Sequence, residues 1–214
     1  MATRELKPRK SPPAPAAPQA RDGAAALLQA GVEVMAEQGY HGSSIRDIAR
    51  RANMSTANLY HHFSSKQELL LRIMVAGIDQ LKEASSAAMA AAPPDPPSQL
   101  AALVIAHVEA HAQRSNVSYV TFQEIRHLTP EGQAEMRAKM DEQQRRFDVL
   151  VDTGIEAGVF HAVRPRETAR ALASMCTAVA TWYSPDGPRS PRDIAEHYVG
   201  LALAMLGVPD APRS

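Results

Sequence analysis

Four consecutive residues, Ser55, Thr56, Ala57 and Asn58, have types and spacing suited to reading the edges of base pairs. An asparagine amide can pair bidentately with adenine, a threonine methyl can lie against the methyl of thymine, and an alanine lets backbones approach closely. Just beyond them, Tyr60, His61 and Lys66 supply groups that can hold phosphate oxygens. Upstream, Ser43, Ser44 and the amide of Ile45 do the same if Ile45 starts a helix. Ser44, Ser55 and Ser65 serve equally well as plain helix caps, and Tyr60 reads equally as a packing residue.

Such chemistry needs two short helices held at a fixed angle, the second lying in the major groove. The pattern supplies them. Leu27, Ala30 and Val34, with Leu28, Gly31 and Met35, form an apolar stripe of helical period that Gly39 closes. Ser44 then caps a two-turn helix with Ile45, Ile48, Ala49 and Ala52 on one face and Arg46, Arg50 and Arg51 elsewhere. Asn53 and Met54 break the period, and asparagine is the non-glycine residue that best tolerates a left-handed turn. After Phe63, Ser65-Lys66-Gln67-Glu68 reads as a capping box opening a long helix through Leu70, Ile73, Gly77 and Leu81.

The remaining pattern is helical throughout, with no period-2 strand and no internal repeat. Ala92-Pro93-Pro94-Asp95-Pro96-Pro97 reads as a non-helical loop. Helix resumes at Leu100 to about Ala112 and continues through Tyr119 to His127. Thr129-Pro130-Glu131 opens a helix reaching about Ala157. A small-residue helix from Thr168 to Ala180 and a last helix carrying Ile194, Tyr198, Leu201 and Met205 follow. The expected architecture is all-α. Residues 1–21 form a basic, proline-rich disordered tail, 22–68 a three-helix unit containing the helix-turn-helix, 69–208 a larger helical unit entered through a long helix, and 209–214 a second tail.

Charge supports this division. The chain carries 23 Lys+Arg against 23 Asp+Glu, yet residues 1–66 hold 9 of the former and 5 of the latter, so a basic front precedes an acidic body. A single cysteine, Cys176, excludes an internal disulfide, and neither an export signal nor an apolar run long enough for a membrane is visible; a cytoplasmic protein is expected. The enzyme reading rests on His107 and His111, four apart on one helix face, but a third ligand and the His-Glu-x-x-His order are missing. No glycine-rich phosphate loop or nucleophile elbow is present, so no catalytic residue, metal or cofactor is expected.

Residues 27–70, LLQAGVEVMAEQGYHGSSIRDIARRANMSTANLYHHFSSKQELL, resemble the DNA-binding region of the TetR family nearly end to end. The shared features are Gly39-Tyr40, Ser44, Ile45, Ile48, Ala49, Leu59, Tyr60, Phe63, Lys66 and Leu69; Asn53 stands where the family usually has glycine, Met35 where phenylalanine is common and Gly31 where alanine is common. The resemblance implies an operator in double-stranded DNA and a homodimer paired through the Thr168 to Ala180 helix and the last helix in an isologous four-helix interface. It also implies a ligand pocket in residues 69–208, which makes that part the ligand-binding and dimerisation unit. Residues 119–206 resemble a narrower group, repressors of sterol and fatty-acid catabolism that sense acyl-CoA. The resemblance rests on Phe122-Gln123-Glu124-Ile125-Arg126-His127-Leu128-Thr129-Pro130, Gly154 to Phe160, and Trp182 to Pro188 followed by Ile194-Ala195. It implies an acyl-CoA effector. An apolar slot from Tyr119, Phe122, Met175, Val179 and Trp182, with Arg126 or His127 at the polar part, would suit such a ligand. The apolar set reads equally as core, and Arg126 as half of an ion pair. A DNA-binding protein acting without a ligand is the alternative.

Overall fold

The computed structural model describes residues 18–113 and 115–208, without the side chains of residues 18–22, 115, 116, 119 and 122. Of residues 1–21, read from the sequence as a disordered tail, 1–17 lie outside the described residues, as do 209–214, whereas 18–21 are helical. Among those described, every regular element is helical: α1 (Pro18–Gly42), α2 (Ile45–Arg51), α3 (Thr56–His62), α4 (Lys66–Ala91), α5 (Pro96–Gln113), α6 (Ser115–Glu124), a 3-10 turn (Ile125–His127), α7 (Pro130–Glu156), α8 (Pro165–Trp182) and α9 (Pro191–Met205). No described helix is long and apolar enough to cross a membrane.

Helix ends follow local chemistry. The side chains of Ser44, Ser55, Ser65 and Thr129 each accept the backbone N–H three residues on. α2 stops because Asn53 adopts φ 55, with its N–H bonded to the Arg50 carbonyl and that of Met54 to the Ala49 carbonyl, the paired bonds of a left-handed helix stop. Two expectations are corrected. The proline run is not wholly loop: Pro96 and Pro97 occupy the first turn of α5, where a missing N–H costs nothing, and Asp95 caps it by accepting from Ser98 N–H at 2.9 Å. The Ser65 box is not reciprocal either, because Glu68 reaches past Ser65 to the N–H of Ser64 at 2.7 Å and to its hydroxyl.

Two apolar cores result. The body core joins α5, α7, α8 and α9 around Leu103, Val104, Phe147, Phe160, Leu172, Cys176 and Ile194. α5 is its axis, packed by α4, α7, α8 and α9. The second core joins α1 to α4 around Leu27, Met35, Ile48, Leu59, Leu69 and Met74, and it also takes in Val120 of α6, Leu128, and Met136 of α7. The small unit is therefore seated on the body through shared apolar contacts.

Candidate DNA interface and effector cavity

Leu59 and Phe63 bury one side of α3 in the second core, which turns the opposite side outward. Ser55, Thr56, Ala57, Asn58, Tyr60 and His61 are all exposed, Tyr60 at 56%. Because Ser55 Oγ is bonded to the Asn58 backbone N–H at 3.1 Å, the Asn58 side-chain amide extends from a fixed helix start. Six of the ten residues expected at DNA thus lie on one solvent face, and Ser44, at the start of α2, is exposed too.

The other three have inward-facing work. Ser43 is 4% exposed and donates its hydroxyl to the Tyr40 carbonyl at 2.9 Å; Ile45 packs against the second core. Lys66 donates to the carbonyls of Tyr40 and Ser43, the latter at 2.6 Å, with its ammonium 4.2 Å from the Tyr40 ring centroid. Burial pulls its pKa below the ordinary lysine value, and the Glu124 carboxylate partly offsets that. These bonds clamp the turn from Tyr40 to Ser44 and thereby aim α2. On α2, Arg50 pairs with Asp47, and Arg51 bridges Glu33 and Glu37 of α1 at 3.1 and 2.7 Å, while Arg46 is exposed.

A cavity of about 540 Å³ lies among α4, α5, α6, α7 and α8. Met74, Ile78, Leu81, Val117, Ile125, Met136 and Ala173 supply apolar wall. His107, His111, Ser118, Gln143 and Thr177 form a polar strip, and Met140, Asp141, Gln144, Arg170 and Ser174 border it toward solvent. Hydrogen bonds tie the strip in two groups: His107 Nε2 lies 2.9 Å from Thr177 Oγ1 and His107 Nδ1 3.4 Å from Gln143 Nε2, while His111 Nδ1 lies 2.9 Å from Ser118 Oγ, the two rings 4.8 Å apart between centroids. Burial pushes His107 well below the usual imidazole range, with His111 adding to the effect, and pushes His111 down to about 4. Both rings are neutral at pH 7. The His107/His111 spacing that suggested a metal is built instead into this hydrogen-bonded strip.

Of the residues expected to line a pocket, Met175, Val179, Trp182, Arg126 and His127 do not border this cavity. The cavity face of α8 runs through Arg170, Ser174, Thr177 and Thr181 at helical spacing, which turns Met175, Val179 and Trp182 to other faces. Val179 is fully buried in the body core, Met175 packs against that core, and Trp182 is 51% exposed with its ring 6.5 Å from that of Tyr198. Arg126 is exposed beside His127, whose ring stacks on Tyr40, so neither borders the cavity. Tyr119 and Phe122 belong to α6, but their side chains lie outside the described residues.

Sequence reasoning overlooked the junction between the two units. Gly39 takes φ 71, kinking α1 and leaving the Tyr40 N–H without a helical acceptor; Glu124, at the end of α6 and 7% exposed, accepts it at 3.1 Å. The second oxygen of Glu124 lies 3.4 Å from His127 Nε2, and His127 Nδ1 lies 3.2 Å from His41 Nε2. Gln67 of α4 donates to the His127 carbonyl at 3.2 Å. α6 therefore lines the cavity with Val117, Ser118 and Thr121 and ends on the turn that aims α2.

Comparison with known proteins agrees with this geometry. The model for bacterial regulatory proteins of the tetR family matches residues 27–73, and that for the tetracyclin repressor-like C-terminal domain matches residues 93–206. The chain belongs to the TetR family of transcriptional regulators, DNA-binding proteins that dimerise, and is not an enzyme. A solved tetR-family regulatory protein from Rhodococcus RHA1 is 32% identical, with a TM-score of 0.81 over 88% of this chain and 98% of that one. The transcriptional repressor KstR2 of Mycobacterium tuberculosis H37Rv is 27% identical over 183 residues, 84% of this chain and 90% of the relative. The structure of AibR in complex with isovaleryl coenzyme A and operator DNA is 25% identical, with a TM-score of 0.76 over 84% of this chain and 97% of that one.

Proposed function

We propose that the chain is a repressor that leaves its operator when an acyl-CoA thioester enters the cavity. The observation that carries this reading is the double role of α6, one helix that walls the cavity and, through Glu124, holds the turn before α2. Asn58 and Thr56 read base edges, with Ala57 permitting close approach. Ser44, Ser55, Tyr60, His61 and Arg46 hold phosphates. Two copies joined through α8 and α9, where Trp182, Leu201 and Met205 are exposed, set the spacing of the two recognition helices. Ligand that moves α6 changes that spacing, and it acts only to the extent that it prefers the released arrangement.

The cavity chemistry supports a thioester over a free acid. Its volume falls within the range of small-molecule sites, and its histidines are neutral, so it offers an acyl group an apolar wall and a carboxylate no buried counter-charge. Arg170 at the border is placed for a phosphate of the coenzyme. The relation to AibR, solved with isovaleryl coenzyme A, supports the same ligand class.

The test is operator release. Purified protein is bound to DNA from beside its own gene and titrated with acyl-CoA thioesters, free CoA and the free acids. Release by a thioester alone is the expected result; tight binding untouched by the whole panel removes the acyl-CoA reading and leaves a regulator without this effector.

A further inference from the structure

The polar strip is more elaborate than an aliphatic acyl chain requires, and its proton order follows from its partners. Gln143 Nε2 donates to Ser85 Oγ at 3.0 Å and faces His107 Nδ1 at 3.4 Å, so Nδ1 is the acceptor nitrogen of that ring. The ring proton then sits on Nε2, which donates to Thr177 Oγ1 at 2.9 Å. With its oxygen accepting from His107, the Thr177 hydroxyl keeps its own hydrogen to give, and Thr177 borders the cavity. The network is also incomplete within the described protein: Gln143 is 4% exposed and its Oε1 has no hydrogen-bond partner. Buried networks that serve packing alone are normally closed.

We propose that Thr177 is a specificity-determining hydrogen-bond donor, and that the cavity selects ligands whose apolar body carries an uncharged oxygen acceptor, such as a ketone, over plain hydrocarbon of equal length. The inference rests on the cavity being the effector site. His107 and Gln143 are positioning residues that set the direction of the Thr177 hydroxyl. They lie on the buried side of the cavity, whereas Asp141 and Arg170 are exposed, so the acceptor belongs at the end of the acyl group remote from the thioester. Because burial holds both histidines neutral, the strip presents dipoles to the ligand, and a carboxylate at the same place would lie there uncompensated.

The experiment measures binding by calorimetry with two matched pairs: octanoyl-CoA against 7-oxooctanoyl-CoA, and the uncharged N-acetylcysteamine thioesters of the same two acids. In wild-type protein the oxo member of each pair binds about tenfold more tightly, the size of one neutral hydrogen bond. Thr177→Val keeps the shape and abolishes the preference without weakening the plain chain, while Thr177→Ser, which retains the hydroxyl, keeps it. Equal binding of the two members in wild type, or a preference that survives Thr177→Val, overturns the proposal, as does failure of both pairs to bind. Should the CoA pair fail while the uncharged pair shows the Thr177-dependent preference, the inference stands and the acyl-CoA reading falls.

Discussion

Glu124→Ala tests the junction between cavity and DNA-reading unit. The substitution removes a carboxylate that accepts the Tyr40 N–H at 3.1 Å in a nearly dry place, Glu124 being 7% and Tyr40 9% exposed. A hydrogen bond to a charged group contributes about 1.5 to 3 kcal/mol, and here its loss leaves a donor stranded beside the Gly39 kink. A loss of about 2 kcal/mol corresponds to a fall of roughly 4 to 8 °C in melting temperature for a chain of this size. Glu124→Gln keeps an acceptor and loses the charge, so it should fall between wild type and alanine. Melting is followed at fixed protomer concentration, since dimerisation makes the midpoint depend on it. The functional readout is the ratio of operator affinities without and with saturating ligand. If α6 acts through Glu124, that ratio shrinks by about tenfold in the alanine variant, because the coupling free energy is carried by contacts that differ between the two states. An alanine variant with wild-type melting and an undiminished ligand response would refute the reasoning.

Three further outcomes are expected. Asn58→Ala should cost about 1 to 3 kcal/mol of operator binding and narrow the gap to random DNA while leaving the salt dependence intact, whereas Arg46→Ala should reduce the slope against log salt by about 1; parallel titrations at several salt concentrations check both. Gly154→Ala should destabilise the protein by about 3 kcal/mol in urea unfolding, because a Cβ there would intrude on the Phe160 ring, which is 1% exposed and closely packed. Finally, with the His111 pKa at about 4 in the folded protein against an ordinary 6.5, the unfolded chain takes up its proton first on acidification. Stability from this residue is complete above about pH 7 and lost as pH falls toward 4, by as much as about 2 kcal/mol between pH 7 and pH 5; His111→Asn should reduce the fall of urea midpoints across that interval, the remainder coming from His107.

What was legible in the sequence was local. Ser44, Ser55, Asn53 and Thr129 mark helix ends through bonds reaching three or four residues, so their roles can be read from neighbours alone. The solvent face of α3 was legible for the same reason, since one apolar anchor, Leu59, fixes its phase. The inward bonds of Lys66 were not legible, because its acceptors, the carbonyls of Tyr40 and Ser43, are brought to it by the fold and not by spacing. The cavity was the least legible part. Five helices build it, His107 meets Gln143 and Thr177 from 36 and 70 residues away, and Thr177 and Val179, two residues apart on α8, lie on nearly opposite faces, so the packing of the whole helix decides which of them looks inward. The Phe122 to Pro130 motif did contain Glu124, but its partner at Tyr40 lies 84 residues earlier.

The second apolar core has a consequence for anyone wishing to transplant the reading head. Its members run past residue 68 into Leu69, Leu70, Ile73 and Met74 of α4 and include Val120, Leu128 and Met136 from the body. A cut at the sequence boundary would therefore open a core instead of separating two, and a fragment ending there would present Leu27, Met35 and Leu59 to water. A working chimera must carry the first half of α4 with the head and match the surface of α6 and α7 on which it sits. The two units are exchangeable only along that seam, so the helix that carries Asn58 and the helices that wall the cavity are inherited with a shared lining between them.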